Sequence, residues 1–137
     1  MNGAEVVMIF SGFELKELFD SVGWAKDLSV MRLETAMMRS SHMAFIRRDD
    51  KLVGFARSMD DGIYSANIDV VVVHKNYQHQ GIAKELVMDL LDQLKNVQYI
   101  SVSPNESENV GLYLKCGFKL IDDGRLLQID NTGKDMR

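Results

Sequence analysis

Four consecutive valines, Val70 to Val73, run into the polar stretch His74-Lys75-Asn76-Tyr77-Gln78-His79-Gln80, and then into Gly81-Ile82-Ala83-Lys84. After the glycine, Ile82, Leu86, Val87, Leu90, Leu91 and Leu94 recur at helical spacing. The unit therefore reads as a buried strand, a polar loop and an amphipathic helix. The first turn of a helix carries backbone N–H groups with no helical acceptor and a partial positive charge. An anion placed there satisfies them. Gly81 lacks a Cβ, so an anion can approach the main chain closely. Gln78 and Gln80 add amide donors and Lys84 adds a charge. Residues of these types at this spacing can cradle a phosphate, and they can equally form an ordinary loop.

The elements that would hold this loop follow from the rest of the pattern. A first strand is expected over residues 5–10. Phe13, Leu15, Leu18, Phe19 and Val22 mark a helix stopped by Gly23, and a second helical pattern covers residues 28–39. Residues 43–48 and 52–59 read as a hairpin around Asp49-Asp50-Lys51. Asp60-Asp61-Gly62 turns the chain into a central strand made of Ile63-Tyr64 and Asn67 to Val73. After the Ile82–Leu94 helix, residues 97–102 form the next strand, reached by a right-handed parallel crossover. Pro104 ends it. A short helix over 105–115 stops at Gly117, and residues 118–121 and 126–129 are expected as two last strands. The fold class is α/β (α+β): a mixed, mostly antiparallel sheet of about seven strands with about four helices.

Gln78-x-x-Gly81-x-Ala83 resembles the Gln/Arg-x-x-Gly-x-Gly/Ala motif of the GNAT family of N-acetyltransferases. Lys75 stands where that family usually has Pro, and Ala83 replaces the commoner final Gly. Residues 52–57 resemble the family's third strand, and Tyr113-Leu114-Lys115-Cys116-Gly117-Phe118 resembles its Tyr-x-x-x-Gly-Phe ending. Gly23-Trp24, residues 52–57 and the run from Asp69 are further similar to a subgroup containing plastid arylalkylamine (serotonin) acetyltransferases and bacterial relatives. The resemblance implies acetyl-coenzyme A as co-substrate. Its pyrophosphate would lie on Gln78, His79, Gln80, Gly81, Ile82, Ala83 and Lys84. Its pantetheine arm would pair with the backbone of Val71, Val72 and Val73, with Asn105 touching the arm or the adenine end. That pairing requires the central strand and the next one to part at their ends.

The implied reaction is attack of a primary amine on a thioester. An alkyl amine has a pKa of roughly 10.4, so making it neutral at pH 7 costs about 4.6 kcal/mol. Asp69 is the first candidate to help, because a charge beside an apolar run needs a reason; it also reads as a solvated strand-start residue. His74 is a second, and also reads as a plain loop histidine. The resemblance places Tyr113 near the thiolate as a general acid, where it could instead be a packing tyrosine. Asn105 reads equally as a helix cap, and Cys116 as a buried small residue rather than a nucleophile. Trp24, Phe19, Met31, Tyr64 and Met59 could line an aromatic-amine pocket or belong to the core.

Length and composition bound these readings. The chain has 137 residues, 46% hydrophobic and 26% charged, with a net charge of −4. One domain spanning 1–137 is expected, able to bury roughly 68–70% of its unfolded surface without a disulfide or metal. A single cysteine fits a reducing compartment, and a cytoplasmic location is expected. The acidic balance argues against nucleic acid as partner. No run suits a membrane span or a signal peptide, and the widely spaced histidines give no metal signature. A homodimer is compatible with the resemblance. Three functions are open: acetylation of a small primary amine, acetylation of a protein or peptide, and a silent coenzyme A-binding module. A mononucleotide-phosphate enzyme lacks its Gly-x-x-x-x-Gly-Lys-Ser/Thr spacing.

Overall fold

In the computed structural model, residues 10–104, 109–121, 124 and 126–133 are described. Chain contacts divide the protein into residues 1–102 and 103–137. The first unit opens with helices α1 (Gly12–Ser21) and α2 (Val30–Met38). Both start on a serine that caps its own helix. Ser11 Oγ accepts the Glu14 N–H while the Glu14 carboxylate accepts the Ser11 N–H, and Ser29 Oγ accepts the Arg32 N–H.

Strands β1 (His42–Arg48), β2 (Lys51–Asp60) and β3 (Ser65–Val73) form an antiparallel meander. The β1–β2 turn works because Asp49 and Asp50 both adopt positive φ, a conformation Asp tolerates better than most residues. Helix α3 (Ile82–Gln93) then carries the chain to β4 (Tyr99–Val102), which pairs parallel to β3 as the crossover requires. The order is β1-β2-β3-β4.

Alternation puts Phe55 and Val72 on one face of the sheet, in a core with Leu15, Leu18, Phe19, Leu33 and Met37 from the first two helices. The other face receives α3. Gly54 makes that contact close: a Cβ there would lie 2.8 Å from Ile82 Cγ2 and 3.0 Å from Leu86 Cδ1.

Two bulges interrupt the ladders. On β2, Ile46 pairs with Gly54 and Arg47 with Leu52, which leaves Val53 over. On β3, Arg57 pairs with Val70 and Ser58 with Ile68, which leaves Asp69 over.

In the second unit, α4 (Val110–Lys115) ends at Gly117, whose φ is +105°. Tyr113 is buried and stacks edge-on against Phe118, ring centroids 5.7 Å apart.

The sheet has four strands among the described residues, not seven. Residues 118–121 and 126–129 form no strand: Leu120, Ile121, Leu126, Leu127 and Ile129 are exposed and join no ladder. Their apolar pattern met the propensity for a strand, but a strand also needs a partner. Of the expected first strand, residues 5–9 lie outside the described residues, and Phe10 packs in the core as a bend. Ile63 and Tyr64 sit in a loop ahead of β3 rather than in it. There the Asp61 carboxylate accepts the N–H groups of Ile63, Tyr64 and Ser65, which hold it below the usual carboxylate range.

Candidate active site

The loop after β3 is fixed at its root. The Val53 carbonyl accepts the His74 N–H at 2.8 Å, one step past the Gly54–Val73 pair, and Ser21 Oγ accepts the Lys75 N–H at 3.1 Å. His74 Nδ1 accepts the Asn76 N–H at 3.2 Å, capping a short 3-10 turn over Lys75–Tyr77, and its ring meets Tyr77 edge-on. His74 is buried. Burial lowers its pKa, Lys51 lowers it further and Glu17 opposes both. A neutral, buried ring whose Nδ1 is already an acceptor is a structural cap rather than a base.

Because the His74 pKa is depressed in the folded state, its contribution to stability is present above the unfolded value and lost as pH falls. Melting temperature should therefore drop as pH is lowered through and below roughly 6.5. In His74→Asn the side-chain oxygen can still accept the Asn76 N–H, so this share of the acid sensitivity should vanish. Thermal melts of the two proteins between pH 5 and 8 measure the difference.

Beyond the 3-10 turn the chain takes unusual conformations. His79 has φ +65° and Gly81 φ +81°. Gly81 occupies the N-cap of α3 with no side-chain cap, and the first helical bond is Glu85 N–H to Gly81 C=O. The N–H groups of Ile82, Ala83 and Lys84 therefore have no acceptor among the described residues, although α1 and α2 are each capped by a serine. A Cβ on Gly81 would meet nothing within 4 Å, so the space ahead of these amides is open. Lys84, Gln80 and His79 are exposed around it. Gln78 is also exposed, but its side-chain amide donates to the Val73 carbonyl at 3.2 Å and so bolts the loop to the end of β3. These donors fit a pyrophosphate group.

The neighbouring edge of β3 is open too. The parallel ladder to β4 runs from Ser65↔Tyr99 to Ile68↔Val102 and stops. Residues 69–73 continue past it with no strand beside them on that edge among the described residues. Of the four valines only Val72 is buried; Val70, Val71 and Val73 are half-buried. The expected burial on both faces is thus incomplete, because the strand runs along an unfilled edge. An extended chain laid against Val71 to Val73 would find the open edge of the strand, with the Val73 carbonyl already accepting from Gln78.

Asp69 stands where β3 and β4 part. Its carboxylate takes two hydrogen bonds from Arg57, from Nε at 2.6 Å and Nη2 at 3.0 Å. Arg57 also donates to the Ala36 carbonyl at the end of α2. Arg57 escaped the sequence reading; an arginine and an aspartate on two neighbouring strands were the signal that could have found it. Of the aromatic and methionine set, Phe19 is core and Trp24 packs on that core, whereas Met31, Tyr64 and Met59 are exposed. Tyr113 lies in the second unit, and burial pushes its phenol pKa up. Among the described residues its hydroxyl has no hydrogen-bond partner. Asn105 lies outside the described residues.

The model for the acetyltransferase (GNAT) domain matches residues 15–126. The chain belongs to the GNAT acetyltransferase family. This GNAT chain is similar to an uncharacterized N-acetyltransferase, ycf52, of Pyropia yezoensis, at 35% identity over 82% of this chain and 67% of that protein. It is 28% identical to a protein named histone acetyltransferase TAP1 of Glycine max, over 82% of this chain but about half, 53%, of the relative's length. A solved GNAT acetyltransferase from Streptococcus pneumoniae superposes with a TM-score of 0.75 at 26% identity, covering 88% of this chain and 92% of that one. The GNAT chain is an acetyl-coenzyme A-dependent N-acetyltransferase. Among the described residues no three His, Cys, Asp or Glu side chains gather as a metal site would require. None of the described helices is long and apolar enough to cross a membrane.

Proposed function

We propose that the 137 residues act as one transferase domain moving an acetyl group from acetyl-coenzyme A to the primary amine of a small molecule. The observation that carries this reading is the uncapped start of α3, with three free amides facing open space at a left-handed glycine. A diphosphate is the acceptor such a cap lacks. The arm of the carrier lies along Val71 to Val73 and brings the thioester toward Asp69.

The amine nitrogen attacks the acetyl carbonyl directly; a C–N bond forms and the C–S bond breaks. The ammonium proton leaves before attack. The Asp69 carboxylate is already held by two hydrogen bonds from Arg57, so its part is to receive the amine, whose proton leaves to solvent. Tyr113 gives its phenolic proton to the departing thiolate. The sequence holds a single cysteine, Cys116, which suits a reducing compartment, the cytoplasm in the simplest case. The narrower likeness to arylalkylamine acetyltransferases supports an amine with an aromatic tail.

A protein acceptor is the second reading, favoured by the name of the Glycine max relative. Calorimetry with coenzyme A and acetyl-coenzyme A tests the cradle: micromolar binding is expected, and no heat with either ligand overturns the function. Thiol release with a panel of small amines and of lysine and N-terminal peptides then separates the two acceptors.

A further inference from the structure

Ser21, the last residue of α1, ties that helix to the loop that leads into the cradle. Its hydroxyl donates to the Leu18 carbonyl at 2.7 Å and accepts the Lys75 N–H at 3.1 Å. Both directions are fixed, since a carbonyl only accepts and a backbone N–H only donates. The end of α1 is itself held. Gly23 N–H donates to the Asp20 carbonyl and Trp24 N–H to the Phe19 carbonyl, each at 3.0 Å. Leu18 and Phe19 are in the core, and the Trp24 ring meets Phe19 edge-on. Glu17, one turn earlier, is no substitute. Its Oε1 is paired with Lys51 at 2.8 Å and stands 3.8 Å from His74 Nε2, beyond hydrogen-bond reach.

Lys75 opens the 3-10 turn over Lys75–Tyr77. The first N–H of such a turn has no acceptor inside it. Ser21 supplies one, and it can do so because residue 75 has an N–H to give. Proline, usual at this place in the motif that the loop resembles, has none. There the ring pre-sets the start of the turn; here a hydrogen bond from a neighbouring helix fixes it.

Resting on the reading of residues 78–84 as the diphosphate cradle, we infer that Ser21 is a positioning residue for that cradle, paired with Lys75 in place of the missing proline. Ser21 touches no ligand. It holds the root of the loop, so the carrier need not order the loop when it binds. Lys75 is exposed, so water can replace the hydroxyl and the fold survives its loss. The two devices also exclude each other. His74, at φ −51° and ψ 136°, already has the extended backbone that a residue before proline needs. In Lys75→Pro, however, the ring carbon takes the place of the N–H hydrogen and runs into Ser21 Oγ. Removing the hydroxyl makes room for the ring.

Calorimetry with coenzyme A on the wild type, Ser21→Ala, Lys75→Ala, Lys75→Pro and the double variant Ser21→Ala/Lys75→Pro tests the pair, with thermal melts as the control for folding. Ser21→Ala should bind about two- to tenfold more weakly, the size of one hydrogen bond. Its kcat at saturating acetyl-coenzyme A should stay within about twofold of the wild type, because the lost interaction acts on binding. Lys75→Ala keeps the N–H and measures the charge alone. Lys75→Pro should bind more weakly than Lys75→Ala, and adding Ser21→Ala to it should raise the affinity again. General destabilisation by Ser21→Ala cannot produce that gain. If Lys75→Pro fails to fold, recovery of the melt in the double variant reads the same clash. Unchanged affinity in Ser21→Ala, or a double variant neither tighter nor better folded than Lys75→Pro, overturns the inference. A wild type that binds no coenzyme A overturns the cradle itself.

Discussion

Tyr113→Phe should bind coenzyme A with unchanged affinity yet turn over about 10²–10⁴-fold more slowly, the usual contribution of a positioned general acid. In barrier terms this is roughly 2.7–5.4 kcal/mol at 1.36 kcal/mol per decade. The phenol is suited to the role because it is buried and its pKa is raised by that burial, so it keeps its proton across the neutral range. A thiolate leaving from a thioester is far more basic once the C–S bond has broken than before, so the proton moves late and only when needed. The substitution should be mild for the fold. The hydroxyl has no hydrogen-bond partner among the described residues, and the edge-on contact with Phe118 involves only the ring. Stopped-assay thiol release, with calorimetry for coenzyme A on the same preparation, separates lost chemistry from lost binding. An unchanged kcat would remove Tyr113 from the mechanism, and a parallel loss of affinity would make it a packing residue.

What the sequence made legible divides along a physical line. Periodicity found α3, the β1–β2 hairpin and the parallel step from β3 to β4, because each rests on local pattern and on the handedness of crossovers. Gly81 was legible as the start of α3 for the same reason, whereas pattern alone did not separate an anion cradle there from an ordinary loop. The bulge at Asp69 was not legible. It depends on which residue of β2 faces which residue of β3, and register is a property of the pair. Arg57 stayed hidden with it, since the ion pair exists only once the bulge turns Asp69 toward β2. His74 read as a possible base because histidine chemistry is visible in sequence, whereas its burial and its capping bond to Asn76 are not. At the other end of the chain, Leu120, Ile121, Leu126 and Leu127 satisfied the local strand pattern and formed no ladder. Propensity can propose a strand, but only a partner makes one.

Gly81→Asn should cost less stability than Gly81→Ala and should weaken coenzyme A binding by about 10–150-fold. The loss of affinity exceeds the loss of stability because the new side chain stands where the diphosphate would bind. At φ +81° a substituent is ordinarily strained, but Asn is among the residues that tolerate the left-handed region. Nothing in the protein stands within 4 Å of the new Cβ, so there is no clash to relieve. The Asn side chain then stands in the open space ahead of the N–H groups of Ile82, Ala83 and Lys84 and takes the place of a diphosphate oxygen; it does not reproduce the caps of α1 and α2, which Ser11 and Ser29 make from extended backbone. One hydrogen bond to a charged acceptor is worth roughly 1.5–3 kcal/mol, which sets the expected loss at 1.4 kcal/mol per decade. Gly81→Ala provides the complement: it fills less of the space and has no acceptor, so it should lose about 1 kcal/mol of stability and less affinity than Asn. Thermal melts and calorimetry on both variants read the two quantities independently. If coenzyme A binds Gly81→Asn as tightly as it binds the wild type, the amides at the head of α3 do not hold the diphosphate.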